Sequence, residues 1–258
     1  MSPIDLDFSR EILFTKEGCL WSECIMSDLN ERINKLAQWI YESKYPVVFT
    51  GAGISTESGL RDFRGPDGLW TRRDKGLATP LQDFTGASPN AGHVAIFELQ
   101  KLGKLAFLIS QNVDNLHLKS GIKPELLAEL HGNLTKVRCA QCEFKMDRVE
   151  GERVCPLCGG KLVSTVVNFG DSLPAKDLAE SYKHSQKCDL FIVVGSSLVV
   201  YPAADMPAVA LEASARLVIV NQGETPLDKH THLRFSEAIG QVLPPALEQL
   251  KRLMKKAS

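Results

Sequence analysis

Two cysteine pairs constrain this chain more than any other feature. Cys139-x2-Cys142 is followed after twelve residues by Cys155-x2-Cys158. Two such knuckles bring four thiolate sulfurs around one point and close a tetrahedral site, the arrangement that structural zinc prefers. The second pair lies in Cys155-Pro156-Leu157-Cys158-Gly159-Gly160, where the glycines let backbone amides face the sulfurs. This is the zinc-ribbon pattern rather than an iron–sulfur or redox one. With four protein ligands no position is left for water, so one ion holds structure and performs no chemistry. The stretch 136–161 around it has few large apolar residues, too few to fold without the metal.

The remaining cysteines, Cys19, Cys24 and Cys188, are scattered. A clustered quartet within an odd total of seven speaks for a reducing compartment and against a disulfide frame. The 258 residues suffice for one substantial domain carrying a small one, and 44% apolar content fills its core. A formal net charge of −1 argues against binding nucleic acid through bulk electrostatics. No apolar run approaches the roughly 20 residues of a membrane helix. The first residues also lack the pattern of a secretory signal. The expected location is cytoplasmic, with no membrane partner and no direct nucleic-acid partner.

Elsewhere apolar strands alternate with amphipathic helices. Strands are expected at 46–50, 106–110, 163–168, 190–195 and 217–221, mostly as continuous apolar runs suited to parallel strands buried on both faces. Helical periods fall near 89–102, 174–187, 203–214 and 242–255. A further helix begins after Ser27, which can cap it, with Leu29, Ile33, Leu36, Ala37 and Ile40 on one face. The resulting fold class is α/β, a doubly wound parallel-sheet Rossmann-type domain with a small inserted zinc-ribbon module. The expected division is an N-terminal extension over 1–26, a Rossmann-type domain from 27–136 and 161–258, and the zinc module at 137–160. Met26 is an alternative start for the chain.

Val47-Val48-Phe49-Thr50 runs straight into Gly51-Ala52-Gly53-Ile54-Ser55. A strand, a Gly-x-Gly turn and a helix form the dinucleotide-binding arrangement, in which glycines admit a pyrophosphate and the helix N-terminus offers N–H groups. Alone the signal is weak. Thr56 stands where the third glycine of the fingerprint belongs, and no acidic residue closes a second strand about 20 residues on. A tight strand-to-helix turn explains Gly-x-Gly equally well. The continuation of the run is more specific, through Glu57-Ser58-Gly59-Leu60-Arg61-Asp62-Phe63-Arg64-Gly65-Pro66-Asp67-Gly68-Leu69-Trp70. Further along come Ser110-Gln111-Asn112-Val113-Asp114-Asn115-Leu116-His117 and Glu129-Leu130-His131-Gly132-Asn133. The C-terminal half adds Val166-Val167-Asn168-Phe169-Gly170-Asp171, Val193-Val194-Gly195-Ser196-Ser197 and Ile219-Val220-Asn221.

In this order, and over about residues 27–250, these runs resemble the sirtuin family. One departure stands out. The family usually carries proline where this chain has Arg61, which bears on loop stiffness and not on a catalytic group.

The resemblance implies an NAD-dependent enzyme that removes acetyl or other neutral acyl groups from protein lysines. Its products are nicotinamide, an O-acyl-ADP-ribose and free lysine. His131 is implied as the catalytic base, a role suited to a side chain titrating near neutrality. The implied NAD contacts are Gly51, Ala52, Gly53, Ser55, Asp62, Phe63, Arg64, Trp70, Gln111, Asn112, Val113 and Asp114. Across the sheet they continue with Gly195, Ser196, Ser197, Asn221, Gln222, Gly223 and Ile239. Asn221 would take the ribose in place of the missing acidic residue. Val167, Phe169, Gly170 and Val200 would meet the acyl-lysine substrate, and residues 60–92 would be a mobile cofactor loop. The implied co-substrate is NAD, the structural metal is one zinc, and the partner is an acylated-lysine protein or peptide.

Residues 71–100 contain no tyrosine, whereas family members specialised for acidic acyl groups place one there, so neutral acyl groups are expected. Plain structural readings stand beside these. His93, His184, His230 and His232 read as surface or satisfied core residues, His117 as support for the pocket, and most of the Val-rich runs as sheet core. Three rival functions remain: a protein ADP-ribosyltransferase or NAD glycohydrolase on the same fold, a non-enzymatic module, and an NAD dehydrogenase.

Overall fold

In the chain's computed structural model, residues 29–80, 82–84 and 86–257 are described. Ser27, Met26, Cys19, Cys24 and the extension over 1–26 lie outside them. The elements in chain order are α1 (Leu29–Glu42), β1 (Pro46–Thr50), α2 (Leu69–Asp74), α3 (Ala91–Lys101), β2 (Phe107–Ser110), α4 (Leu116–Ser120) and β3 (Leu127–Glu129). Next come β4 (Lys136–Cys139), β5 (Lys145–Asp147), β6 (Leu162–Ser164), α5 (Ala175–Lys187) and β7 (Leu190–Val194). The chain closes with α6 (Met206–Glu212), β8 (Arg216–Val220), β9 (Leu233–Phe235) and α7 (Ile239–Ala257).

Six strands form one parallel sheet in the order β3-β2-β1-β7-β8-β9. Successive side chains of a strand point to opposite faces, and the core divides accordingly. Val48, Leu108, Ile192 and Val218 face a cluster with Leu36, Ile40, Ile96 and Leu243 from α1, α3 and α7. Val47, Phe49, Phe191 and Ile219 face the other cluster, which contains Met206 and Ala210 of α6 and is flanked by Leu178 and Tyr182 of α5. Both faces are dry, which is why the strands read as unbroken apolar runs. The doubly wound Rossmann-type class is therefore present. The order reverses direction at the β1–β7 boundary, the place where such sheets open a ligand crevice beyond the strand ends.

One expected element needs correction, and two features were not foreseen. The run 163–168 is not a strand of the main sheet. Leu162–Ser164 pairs antiparallel with β4 in a small three-stranded sheet, β5-β4-β6. Val166 and Val167 beyond it are apolar because they border a cleft rather than a sheet core. The helix expected after the Gly-x-Gly turn is present over Ala52–Ser58 and is of the 3-10 type. Amides at its start are occupied: N–H of the capping Gly51 donates to Val194 O at 3.0 Å and Gly53 N to Gly195 O at 2.8 Å. The edge strands β3 and β9 were not foreseen, because three residues are too few to show a period.

Candidate functional site: one cleft across the strand ends

The register aligns the C-terminal ends of the strands. Ser110, Thr50, Val194 and Val220 are successive partners across β2, β1, β7 and β8. The chain therefore leaves the sheet in one row at Gln111, Gly51, Gly195 and Asn221. Each exit is fixed by one more rung: Gln111 N to Thr50 O at 2.9 Å, Gly51 N to Val194 O at 3.0 Å, Gly195 N to Val220 O at 2.8 Å and Asn221 N to Phe235 O at 3.0 Å. At the switch point two backbones touch. Gly195 sits at φ +66°, and a Cβ there would come within 2.3 Å of Ile54 N. A Cβ on Gly51 or Gly53 would meet Gly195 at 2.7 or 2.8 Å. Glycine is required on both sides of this contact.

These exits line a cleft of about 1160 Å3 that also holds the loops over 60–70 and 166–173. Every residue expected from the sequence to meet nucleotide or acyl-lysine lies on its wall, from Gly51 to Ile239, together with His131. Sequence reasoning missed other wall residues, among them Glu57, Gln82, Phe84 and Leu173. Gln82 carries no local signal. It is brought in by long-range pairing, its side chain accepting from Arg61 N at 2.9 Å and donating to Arg61 O at 3.1 Å. Proline at position 61 could not supply that N–H.

The polar end of the cleft is built from buried groups. Ser55 donates to Asp114 Oδ2 at 2.6 Å, and Asn112 Nδ2 donates to Ser55 Oγ at 3.3 Å. Asp114 Oδ1 accepts from Leu116 N at 2.9 Å. Thr50, Ser110 and His117 form a second polar layer below. Asn112 Oδ1 is buried without a partner, which is costly. A ligand carrying an amide N–H would relieve it. The nicotinamide carboxamide is such a group, and the glycine cradle at the switch point admits a phosphate backbone, so the residues present fit NAD. Asp62 is turned onto its own loop, where Oδ1 accepts from Gly65 N at 2.9 Å. Arg64 stacks over Trp70, 4.1 Å from its ring centre, and Trp70 touches Phe63 and Phe169.

His131 stands between the polar and apolar parts of this wall. Its Nδ1 lies 2.9 Å from Gln111 O. A carbonyl can only accept, so Nδ1 carries the proton and Nε2 keeps its lone pair. Burial lowers the His131 pKa, against a smaller upward pull from the Gln111 carbonyl. The ring is therefore neutral at neutral pH. The following Gly132 has φ +78°, and a Cβ there would strike Thr165 O at 1.9 Å. This contact brings His131 beside the 166–170 loop, where Val167 N donates to His131 O at 3.0 Å.

The four cysteines meet as their spacing requires. Cys139 and Cys158 sulfurs are 3.5 Å apart, Cys142 and Cys155 sulfurs 3.7 Å, and all four lie within 4.8 Å of one another. A Zn–S bond of about 2.3 Å gives a tetrahedral edge of about 3.8 Å, which these spacings match. They are far too long for disulfides. Gln141 N points at Cys139 Sγ from 3.4 Å. The donor set fits one structural zinc.

Comparison with known proteins agrees with this geometry. The Sir2 family model matches residues 51–86 and 77–202. A protein from Arabidopsis thaliana named NAD-dependent protein deacetylase SRT1 is 41% identical over 232 residues, covering 85% of this chain and 49% of its own length. The chain thus spans about half of that plant relative. A protein from Archaeoglobus fulgidus named NAD-dependent protein deacylase 2 is 39% identical over 251 residues, covering 87% of this chain and 98% of its own length. The solved structure of Sir2Af2 bound to a myristoylated histone peptide superposes with a TM-score of 0.66 at 36% identity, over 88% of this chain and 99% of that one. With its motifs gathered around one cleft and its family model matched over more than half its length, the chain belongs to the Sir2 family.

Proposed function

We propose that this protein is an NAD-dependent protein lysine deacylase that moves an acetyl or other neutral acyl group from lysine to ADP-ribose and releases nicotinamide. The observation that carries this reading is the single cleft in which a neutral His131 separates a polar glycine–asparagine–aspartate cradle from apolar walls at Val167, Phe169 and Val200. The relatives' names, NAD-dependent deacetylase and deacylase, support it, as does the acylated peptide bound by a solved relative.

In this reading the turns at 51–55, 111–114, 195–197 and 221–223, with Asp62, Phe63, Arg64, Trp70 and Ile239, hold NAD. When bound, NAD supplies an activated ribose carbon and the hydroxyls that take up the acyl group. Asn112 orients the carboxamide through its unpartnered oxygen. Val167, Phe169, Gly170 and Val200 hold the acyl-lysine and keep water out. His131 accepts a proton at Nε2, with Gln111 O fixing the tautomer and stabilising the charged ring. The zinc module over 137–160, inserted between 27–136 and 161–258, carries no chemistry. The loop over 60–92 opens and closes on the nucleotide. A cytoplasmic location completes the reading, supported by the balanced charge and the thiol usage. Among the described residues no helix is long and apolar enough to cross a membrane.

The test is mass spectrometry of the protein with NAD and an acetyl-lysine peptide, beside His131→Ala. The expected result is a peptide lighter by one acetyl group, an acetyl-ADP-ribose product, and a fall of about 10²–10⁴ in rate for the variant. NAD cleavage with an unchanged peptide, spared in His131→Ala, would instead indicate ADP-ribose transfer or hydrolysis.

A further inference from the structure

The turn over 221–223, which succeeds β8 and lines the cleft, is held from behind by one side chain. Arg234 lies on the edge strand β9 and is not among the residues of the cleft wall. Its Nη1 donates to Asn221 O at 2.5 Å and also to Phe235 O, its Nη2 to Gly223 O at 2.6 Å, and its Nε to Asp228 Oδ1 at 3.0 Å. One guanidinium thus reaches both ends of the turn, its own strand and a carboxylate. Asp228 is fixed in turn, since Thr225 donates to it through Oγ1 at 2.6 Å and through N at 3.1 Å. A further arginine braces the strand from α1: Arg32 donates to Arg234 O at 3.0 Å and pairs with Glu237 at 2.6 Å.

We propose that Arg234 is the positioning residue that builds the ribose-binding turn of the cleft without touching the ligand. The physical ground is the planar guanidinium. It offers five N–H donors in a fixed fork, whereas lysine offers a compact ammonium that cannot span the same acceptors. By taking the carbonyls of Asn221 and Gly223, Arg234 turns those acceptors away from the cleft. The Asn221 side chain closes the same turn by donating to Gly223 O at 2.8 Å. Charge-assisted bonds of this kind are the stronger ones, and Asp228 balances the charge they bring. The turn is therefore formed before the ligand arrives, which lowers the ordering cost of binding.

This inference rests on the reading of 221–223 as a nucleotide subsite, and the experiment keeps the two apart. The zinc-loaded full chain is titrated with ADP-ribose by calorimetry, as wild type, Arg234→Lys, Arg234→Gln and Asp228→Asn. Steady-state rates are then measured with NAD and an acetyl-lysine peptide. Loss of the fork in Arg234→Lys is expected to weaken ADP-ribose binding and raise KM for NAD about tenfold, with more in Arg234→Gln and less in Asp228→Asn. At saturating NAD, kcat stays within about twofold and KM for the peptide does not move, because the other end of the cleft is untouched. A merely structural role would lower the folded fraction and kcat together and leave both the ADP-ribose affinity per folded molecule and KM for NAD alone. That pattern, or an unchanged affinity in folded Arg234→Lys, overturns the proposal. Should Arg234→Gln fail to fold, Asp228→Asn decides, since it removes only the carboxylate behind the fork. If wild type itself does not bind ADP-ribose, the nucleotide reading falls and this inference falls with it.

Discussion

The main sheet and the zinc-binding sheet solve the same problem by different means. The six-stranded sheet is sandwiched between two clusters of fully buried side chains, with Phe49, Phe191, Leu36 and Ile96 among the largest. The three-stranded sheet owns a cluster of four buried residues, Val137, Cys139, Cys155 and Leu162, and two of those are thiols. Apolar burial at about 25 cal/mol per Å2 stabilises the first. It cannot stabilise the second, which depends on metal–sulfur bonds for what its core lacks. Chemistry that needs fixed groups sits where the core holds them. The polar groups of the cleft lie on turns anchored in the main sheet, and the small sheet contributes through β6 and the loop after it, which borders the cleft.

The sharpest way to break this contrast is to remove the metal. Chelation, or Cys155→Ala, is expected to cost the small sheet on the order of 10 kcal/mol. Limited proteolysis should then cut within 136–164 while the main sheet keeps its circular dichroism. Resistance of that segment in the zinc-free protein would show that packing alone holds it. Next in size is the reverse experiment. Phe191→Ala empties a fully buried site between strands and helices and should cost about 3–5 kcal/mol, read from denaturant unfolding, with zinc content per folded molecule unchanged. A loss under about 1 kcal/mol would contradict the assignment of stability to the core.

Gly195→Ala tests the contact between the two halves of the sheet. A left-handed backbone and a Cβ at 2.3 Å from Ile54 N should together cost about 2–4 kcal/mol and abolish ADP-ribose binding. A stable variant with wild-type affinity would show that the turns do not interlock. Counted per histidine and per pH unit, the smallest effect is that of acid. Burial lowers His93 to about 4 and holds His117 well below its ordinary value. Below pH about 6.5 the unfolded chain takes up protons that these folded side chains refuse. Stability should therefore fall as pH drops from about 6.5 to about 4, by at most about 1.4 kcal/mol per pH unit for each histidine. His93→Gln should flatten that slope, and an unchanged slope would remove His93 from the account.

Much of the site was legible because its parts are contiguous. Gly51 to Trp70, Gln111 to Asp114, His131-Gly132 and the cysteine pairs are local strings, and each sits at a strand end or a knuckle. The run over 163–168 misled because apolar residues facing a cleft look like apolar residues in a sheet. The 3-10 form of Ala52–Ser58 was not legible because Gly53 N bonds to Gly195 O, more than 140 residues away in the chain. No local pattern reports the Gln82 bonds to Arg61, the Arg234 fork or the Glu57 carboxylate that accepts from Gly240 N at 2.9 Å.

By itself the sequence determined the alternation of buried strands and amphipathic helices, the zinc ligands and the identity of the groups at the strand ends. These arise from hydrophobic period and from spacing, which are properties of neighbours along the chain. Tertiary structure alone decided the strand order, the alignment of Ser110, Thr50, Val194 and Val220 in one row, the tautomer of His131 and the residues that brace the turns from behind. Those depend on which distant backbones meet, and the energy of such meetings is written in contacts between segments rather than in any one of them.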